Sequence, residues 1–184
     1  MLFRSSLAAL AAEVLETLPE SHSGFAGFAD AEAMAHLALG QSERAFARYG
    51  QLLERLQVLA KAEPDRADYQ RDLSVSYNKM GDLYRALGQG EAAGAAYQGS
   101  LEIRERLAKA EPDRADYQRD LSVSLVKLAT SNENVDLGYL AKALSILEQL
   151  AEQGRLAPAD QSMVDALRQL LDPPTADRKS TRLN

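Results

Sequence analysis

The sequence predicts an all-α protein, an α-solenoid of stacked antiparallel helix pairs with about eight helices. Three observations predict it. The stretch "AKAEPDRADYQRDLSVS" runs from Ala60 to Ser76 and returns unchanged from Ala108 to Ser124, an offset of 48 residues. A fixed period of that size marks a repeat architecture, in which each copy meets nearly the same neighbours. Apolar residues recur in steps of three and four, the spacing of one helix face. Composition agrees: 46% of the chain is hydrophobic, with no Trp and four Phe, which favours close-packed Ala/Leu helices over a β-sandwich.

The elements follow in order. Leu7, Leu10, Ala11, Val14, Leu15 and Leu18 recur at helical spacing, and Glu13 and Glu16 interrupt the apolar run. Leu2 to Leu18 therefore reads as an amphipathic helix rather than a signal peptide, and residues 1–24 as an N-terminal cap with its turn. The repeat array is expected over residues 25–154, as a degenerate unit at about 30–64, a best unit at 65–112 and a third at 113–154. The degenerate unit opens with a helix around Asp30 to Leu39.

In the best unit Asp65, after Pro64, is expected to N-cap a helix whose first turn gains negative charge from Asp68. Its apolar stripe is Tyr69, Leu73, Tyr77, Met80, Tyr84 and Leu87. Gly88 and Gly90 close this helix and open the next, which runs from about Glu91 to Ala110. There Ala93, Ala96, Tyr97, Leu101 and Leu107 form the inward stripe, and Pro112 stops the helix. Gly81, Ala92, Ala93 and Ala96 are small enough to let the two helices approach closely.

The helix from Asp116 fades after Leu128 into the polar break "TSNEN". Leu137, Leu140, Ala143, Leu144, Leu147 and Leu150 then mark its partner. Residues 155–172 read as a C-terminal capping helix, with Pro158 near its first turn and Met163, Leu167 and Leu171 on its apolar face. Residues 173–184 read as a disordered tail. Its last eight, "DRKSTRLN" (177–184), are what the sequencing-adapter string GATCGGAAGAGCACACGTCTGAAC encodes, so they are set aside as read-through.

The best unit resembles the tetratricopeptide repeat, in a long-period bacterial variant. An aromatic, then a Leu-Gly-like pair, then Tyr, then a small residue followed by an aromatic appear as Tyr77, Met80-Gly81, Tyr84, Ala93 and Tyr97. The family period is nearer 34, Tyr77 stands where Trp is usual, and the closing Pro112 comes late. The resemblance covers about residues 35–130. It implies that the first helix of each pair lines a concave groove that receives a partner peptide, with Asn78, Lys79, Asp82 and Arg85 facing the groove and Lys127 repeating Lys79 one unit on.

Composition and motifs remove several chemistries. The net charge of −6 lacks the clustered positive surface that nucleic acid demands and argues against anionic membranes. With no Cys, disulfides, thiolate catalysis and Cys-based zinc sites are excluded. His22 and His36 are the only histidines. Glu32 lies one turn before His36, a spacing compatible with a shared metal, yet no second His joins them. The Ser76-x-x-Lys79 and Ser124-x-x-Lys127 matches to penicillin-recognising enzymes lack their companion elements. The carboxylates Glu63, Asp65, Asp68 and Asp72 alternate with Lys61, Arg66 and Arg71 near helix starts, as a solvated face does.

The expected function is therefore a non-enzymatic, cytoplasmic protein–protein interaction scaffold with no cofactor, metal or catalytic residue. Its partner is a protein or peptide, acidic if the lysines engage it, and self-association is a further expectation. The alternative is a regulatory or oligomerising fragment of a larger bacterial signalling protein whose effector domain lies elsewhere.

Overall fold

The computed structural model describes residues 24–172, which hold seven α-helices, one short 3-10 turn and no strand. The helices are α1 (Gly24–Ala38), α2 (Ser42–Ala62), α3 (Ala67–Ala86), α4 (Gly90–Ala110), α5 (Ala115–Ala129), α6 (Leu137–Glu152) and α7 (Gln161–Leu171). The 3-10 turn, Pro158–Asp160, leads directly into α7. The expected N-terminal helix at Leu2 to Leu18, His22 and the tail from 173 onward lie outside the described residues. The chain divides into two compact units, meeting within α4 at Leu107 and Ala108.

The repeated segment folds the same way twice. In each copy an Arg precedes the first helix and clamps the Asp two residues on: Arg66 Nε donates to Asp68 Oδ1 at 2.8 Å, and Arg114 Nε to Asp116 Oδ1 at 2.8 Å. Each guanidinium lies 4.2 Å from the ring centroid of the following tyrosine, Tyr69 or Tyr117, a cation–π contact. Gln70 Nε2 donates to Ala60 O at 3.1 Å and Pro64 O at 3.5 Å, and Gln118 Nε2 to Ala108 O at 3.2 Å and Pro112 O at 3.3 Å. These amides satisfy carbonyls that the ends of α2 and α4 would otherwise leave bare. Ser74 and Ser122 each donate to the carbonyl three residues back at 2.7 Å.

One expectation fails at this corner. Asp65 does not cap α3. The N-cap is Arg66, and it makes no side-chain capping bond. The Arg66–Asp68 clamp folds the start of the helix from the side instead. Two further corrections concern extent and burial. α1 begins at Gly24, ahead of the expected Asp30, because Gly24 and Gly27 weaken the propensity signal without preventing a helix. Leu87, assigned to the inward stripe, is 44% exposed. The chain has already turned outward there, and Leu83, 2% exposed, supplies the burial in its place.

That turn is a Schellman closure. Gly88 has φ +72°, Gln89 N–H donates to Tyr84 O at 2.9 Å, and Gly88 N–H donates to Arg85 O at 3.0 Å. Gly40, one repeat earlier at φ +71°, closes α1 in the same way. A residue with a Cβ is strained at such a φ, which is why glycine stands there.

Within the first unit, α3 is packed on both sides. Against α2, Tyr77 OH accepts from Gln57, and Phe46 meets Tyr84 with ring centroids 5.1 Å apart. Against α4, Gly81 lies under the Tyr97 ring, and a Cβ on Gly99 would lie 3.3 Å from the Tyr77 ring. Arg104 Nε donates to Ser74 Oγ at 3.0 Å. Residue numbers rise on one helix as they fall on the other, so both pairings are antiparallel. One core joins Leu52, Leu56, Ala60, Leu73 and Ile103; another joins Ala33, Ala45, Tyr49, Met80, Leu83 and Ala96.

The second unit has its own core. Leu140, Ala143 and Leu147 of α6 are at most 1% exposed, as are Ala129 of α5 and Val164 of α7. Asp136 caps α6, its carboxylate accepting from Gly138 N–H at 2.8 Å and Tyr139 N–H at 3.2 Å. Arg119 of α5 reaches Asp160 through Nε at 2.8 and 2.9 Å, fastening the 3-10 turn ahead of α7. On α7 the stripe is led by Val164 and Leu167, both buried, with Met163 and Leu171 partly exposed.

Candidate functional site

Asn78, Asp82 and Arg85 lie on α3 at steps of four and three, so they share one helix face, with Lys79 beside it. Their environments differ. Asn78 is 4% exposed and belongs to the packed interior. Lys79 and Asp82 are half-buried, and Arg85 is exposed. Asp82 Oδ1 accepts from Tyr97 OH at 2.7 Å. Burial first, and then this bond to a carboxylate, push the Tyr97 phenol well above the usual tyrosine range. Asp82 is thus partly committed to holding α4.

Lys127 occupies the matching place on α5, half-buried, in the second unit. The site residues therefore fall into two groups: four together on α3, and Lys127 on a separately packed helix. Thr130 stands one repeat on from Asp82, and its Oγ1 donates to Val126 O of its own helix at 2.9 Å. The second copy thus carries a threonine where the first carries Asp82.

The motifs set aside in the sequence have structural roles. Ser76 is 2% exposed and donates to Asp72 O at 3.0 Å. Glu32 is 7% exposed, its Oε2 lying 2.6 Å from Arg48 Nε and its Oε1 3.8 Å from His36 Nε2. His36 Nδ1 lies 2.8 Å from Gln41 Oε1. This buried carboxylate joins α1 to α2 through an ion pair with the half-buried Arg48. Among the described residues no group of three or more His, Asp or Glu is placed to hold a metal ion. No described helix is long and apolar enough to cross a membrane.

One feature of the second unit escaped the sequence. A cavity of about 270 Å³ lies between the corner at Pro112 and Asp113 and the end of α6, with Gln118, Leu150, Gln153 and Arg155 in its lining. No motif marks it. Its signal is a difference between copies, visible only when α4 and α6 are aligned on their burial: Ala93 and Leu140 are the first buried residues of each. Both Arg106 and Gln153 then stand thirteen residues further on.

No protein-family model matches the chain, and no curated protein matches it.

Proposed function

We propose that the chain is a non-enzymatic interaction scaffold of the tetratricopeptide type, in which helix pairs stack as a solenoid and α3 and α5 contribute inner helices to a groove. The observation that carries this reading is the repeated corner. Seventeen identical residues make the same clamp, the same Gln tether and the same serine back-bond in both copies. Local geometry repeated to this degree is what stacking of like units requires. The partner is an acidic peptide segment. Lys79 and Lys127 would each donate charge-assisted bonds to its carboxylates, with Arg85 adding an exposed cation nearby.

The test is a titration of the full chain with a fluorescent Asp/Glu-rich peptide, comparing it with the Lys79→Ala/Lys127→Ala variant. Affinity should fall about tenfold or more, equivalent to losing about 1.4 kcal/mol, and binding should weaken with salt. Circular dichroism should show the helices intact. Unchanged affinity in a folded variant would remove the groove assignment.

A further inference from the structure

The two copies of the corner differ in what faces their repeated glutamine. In the first unit Gln70 holds Ala60 O and Pro64 O with its amide nitrogen, and its Oε1 accepts from Arg106 Nη2 at 3.3 Å. In the second, Gln118 holds Ala108 O and Pro112 O with its amide nitrogen in the same way, and the residue lines the cavity. Gln153 stands there in place of Arg106, and its Oε1 faces Arg155 Nη1 at 3.0 Å. Gln118 Oε1 accepts from no side chain among the described residues. The cavity lies at this point.

We propose that the cavity beside the second corner takes a guanidinium group, the side chain of an arginine in a bound peptide. The first unit displays the chemistry: the same segment, with the same tether, receives a guanidinium from its own α4. The second unit keeps the acceptor and lacks the donor. Its lining suits both parts of an arginine. Pro112 and Leu150 offer apolar contact for the methylenes, while Gln118 Oε1 and the Asp113 carboxylate accept from the planar head. Arg155 carries like charge in the lining, and its contact with Gln153 engages one of its donors. This site is independent of the groove on α3 and stands or falls separately.

The probe is N-acetyl-arginine methylamide, titrated into the full chain and followed by NMR shifts, beside its citrulline and lysine counterparts and free arginine. Saturable binding at one site is expected, about tenfold or more tighter than the neutral citrulline analogue. Gln153→Arg rebuilds the first-copy arrangement and should abolish binding. Arg106→Gln should open a second site, raising the stoichiometry towards two. Arg155→Gln removes the like charge and should tighten binding. Should Gln153→Arg fail to fold, Asp113→Asn gives the same reading through a loss of affinity.

The proposal is overturned by no saturable binding, by binding that survives Gln153→Arg, or by Arg155→Gln weakening it, which would mark an anionic ligand. Free arginine binding tenfold tighter than the blocked form would overturn the peptide source.

Discussion

Asp72 and Asp68 stand one turn apart on α3 and are shifted in opposite directions. Burial, and then the neighbouring Asp68, push the Asp72 carboxyl up, and Arg71 offsets only part of this. The Arg66 guanidinium holds Asp68 below the usual range. The signs follow by linkage. For Asp72 the folded state favours the proton, so its contribution is present below the ordinary value of 3.8 and is lost as pH rises through its raised folded value. For Asp68 the contribution is present above 3.8 and is lost as pH falls. Asp72→Asn should therefore raise the melting temperature at pH 7, with the gain shrinking as pH falls through the raised folded value and gone below the ordinary 3.8. Thermal melts of both proteins at pH 7 and pH 3.5 check this. An unchanged melting temperature at pH 7 would mean that the charged carboxylate is not a liability.

At the scale of the element, close contact between α3 and α4 is a matter of paired sizes. Gly81 has no Cβ because one would fall inside the Tyr97 ring, and Gly99 gives way to Tyr77. Counted by burial, the third pair makes both exchanges at once: Ala129 and Leu144 stand for Gly81 and Tyr97, and Leu125 and Ile146 for Tyr77 and Gly99. The ion-dipole contact goes with the ring, since Asp82 and Tyr97 become Thr130 and Leu144. Gly81→Ala should cost about 1–3 kcal/mol by overpacking. Gly81→Ala/Tyr97→Leu copies the third pair and should recover part of that loss, read by urea denaturation. A double variant less stable than Gly81→Ala alone would refute the size coupling.

Helix periods, the Gly88 closure and the breaks at Pro112 and "TSNEN" were legible because each is a local property of the chain. The small-on-large pairing was half legible: Gly81 stands out among its neighbours, but the ring that requires it lies sixteen residues away. The failed Asp65 cap has the same root. Asp, Ser and Asn near a proline are good capping letters, yet the helix boundary falls one residue past Asp65, at Arg66, and only coordinates place that boundary. The site residues were least legible. Lys79 and Lys127 share a register that sequence can align, whereas Asn78 proved to be interior and Asp82 tied to Tyr97, both consequences of how α4 packs.

For the molecule as a whole, size bears on how the two units unfold. The described part of the first spans residues 24–107 and that of the second 108–172. Domains of about 60 residues bury too little of their surface to be robust alone. α4 runs uninterrupted from Gly90 to Ala110 and so carries residues of both units. Unfolding the second unit would free the last turn of that helix, and repeat arrays gain cooperativity from such shared elements. Leu147, 0% exposed in α6, is the place to apply the strain. Leu147→Ala should cost about 2–5 kcal/mol. Native-state hydrogen exchange should then show lower protection in α2 and α3 as well as in α5 and α6, with fluorescence and circular dichroism melting together. Protection lost in the second unit alone, with two separated transitions, would show that each unit folds for itself and that α4 transmits nothing across Leu107 and Ala108.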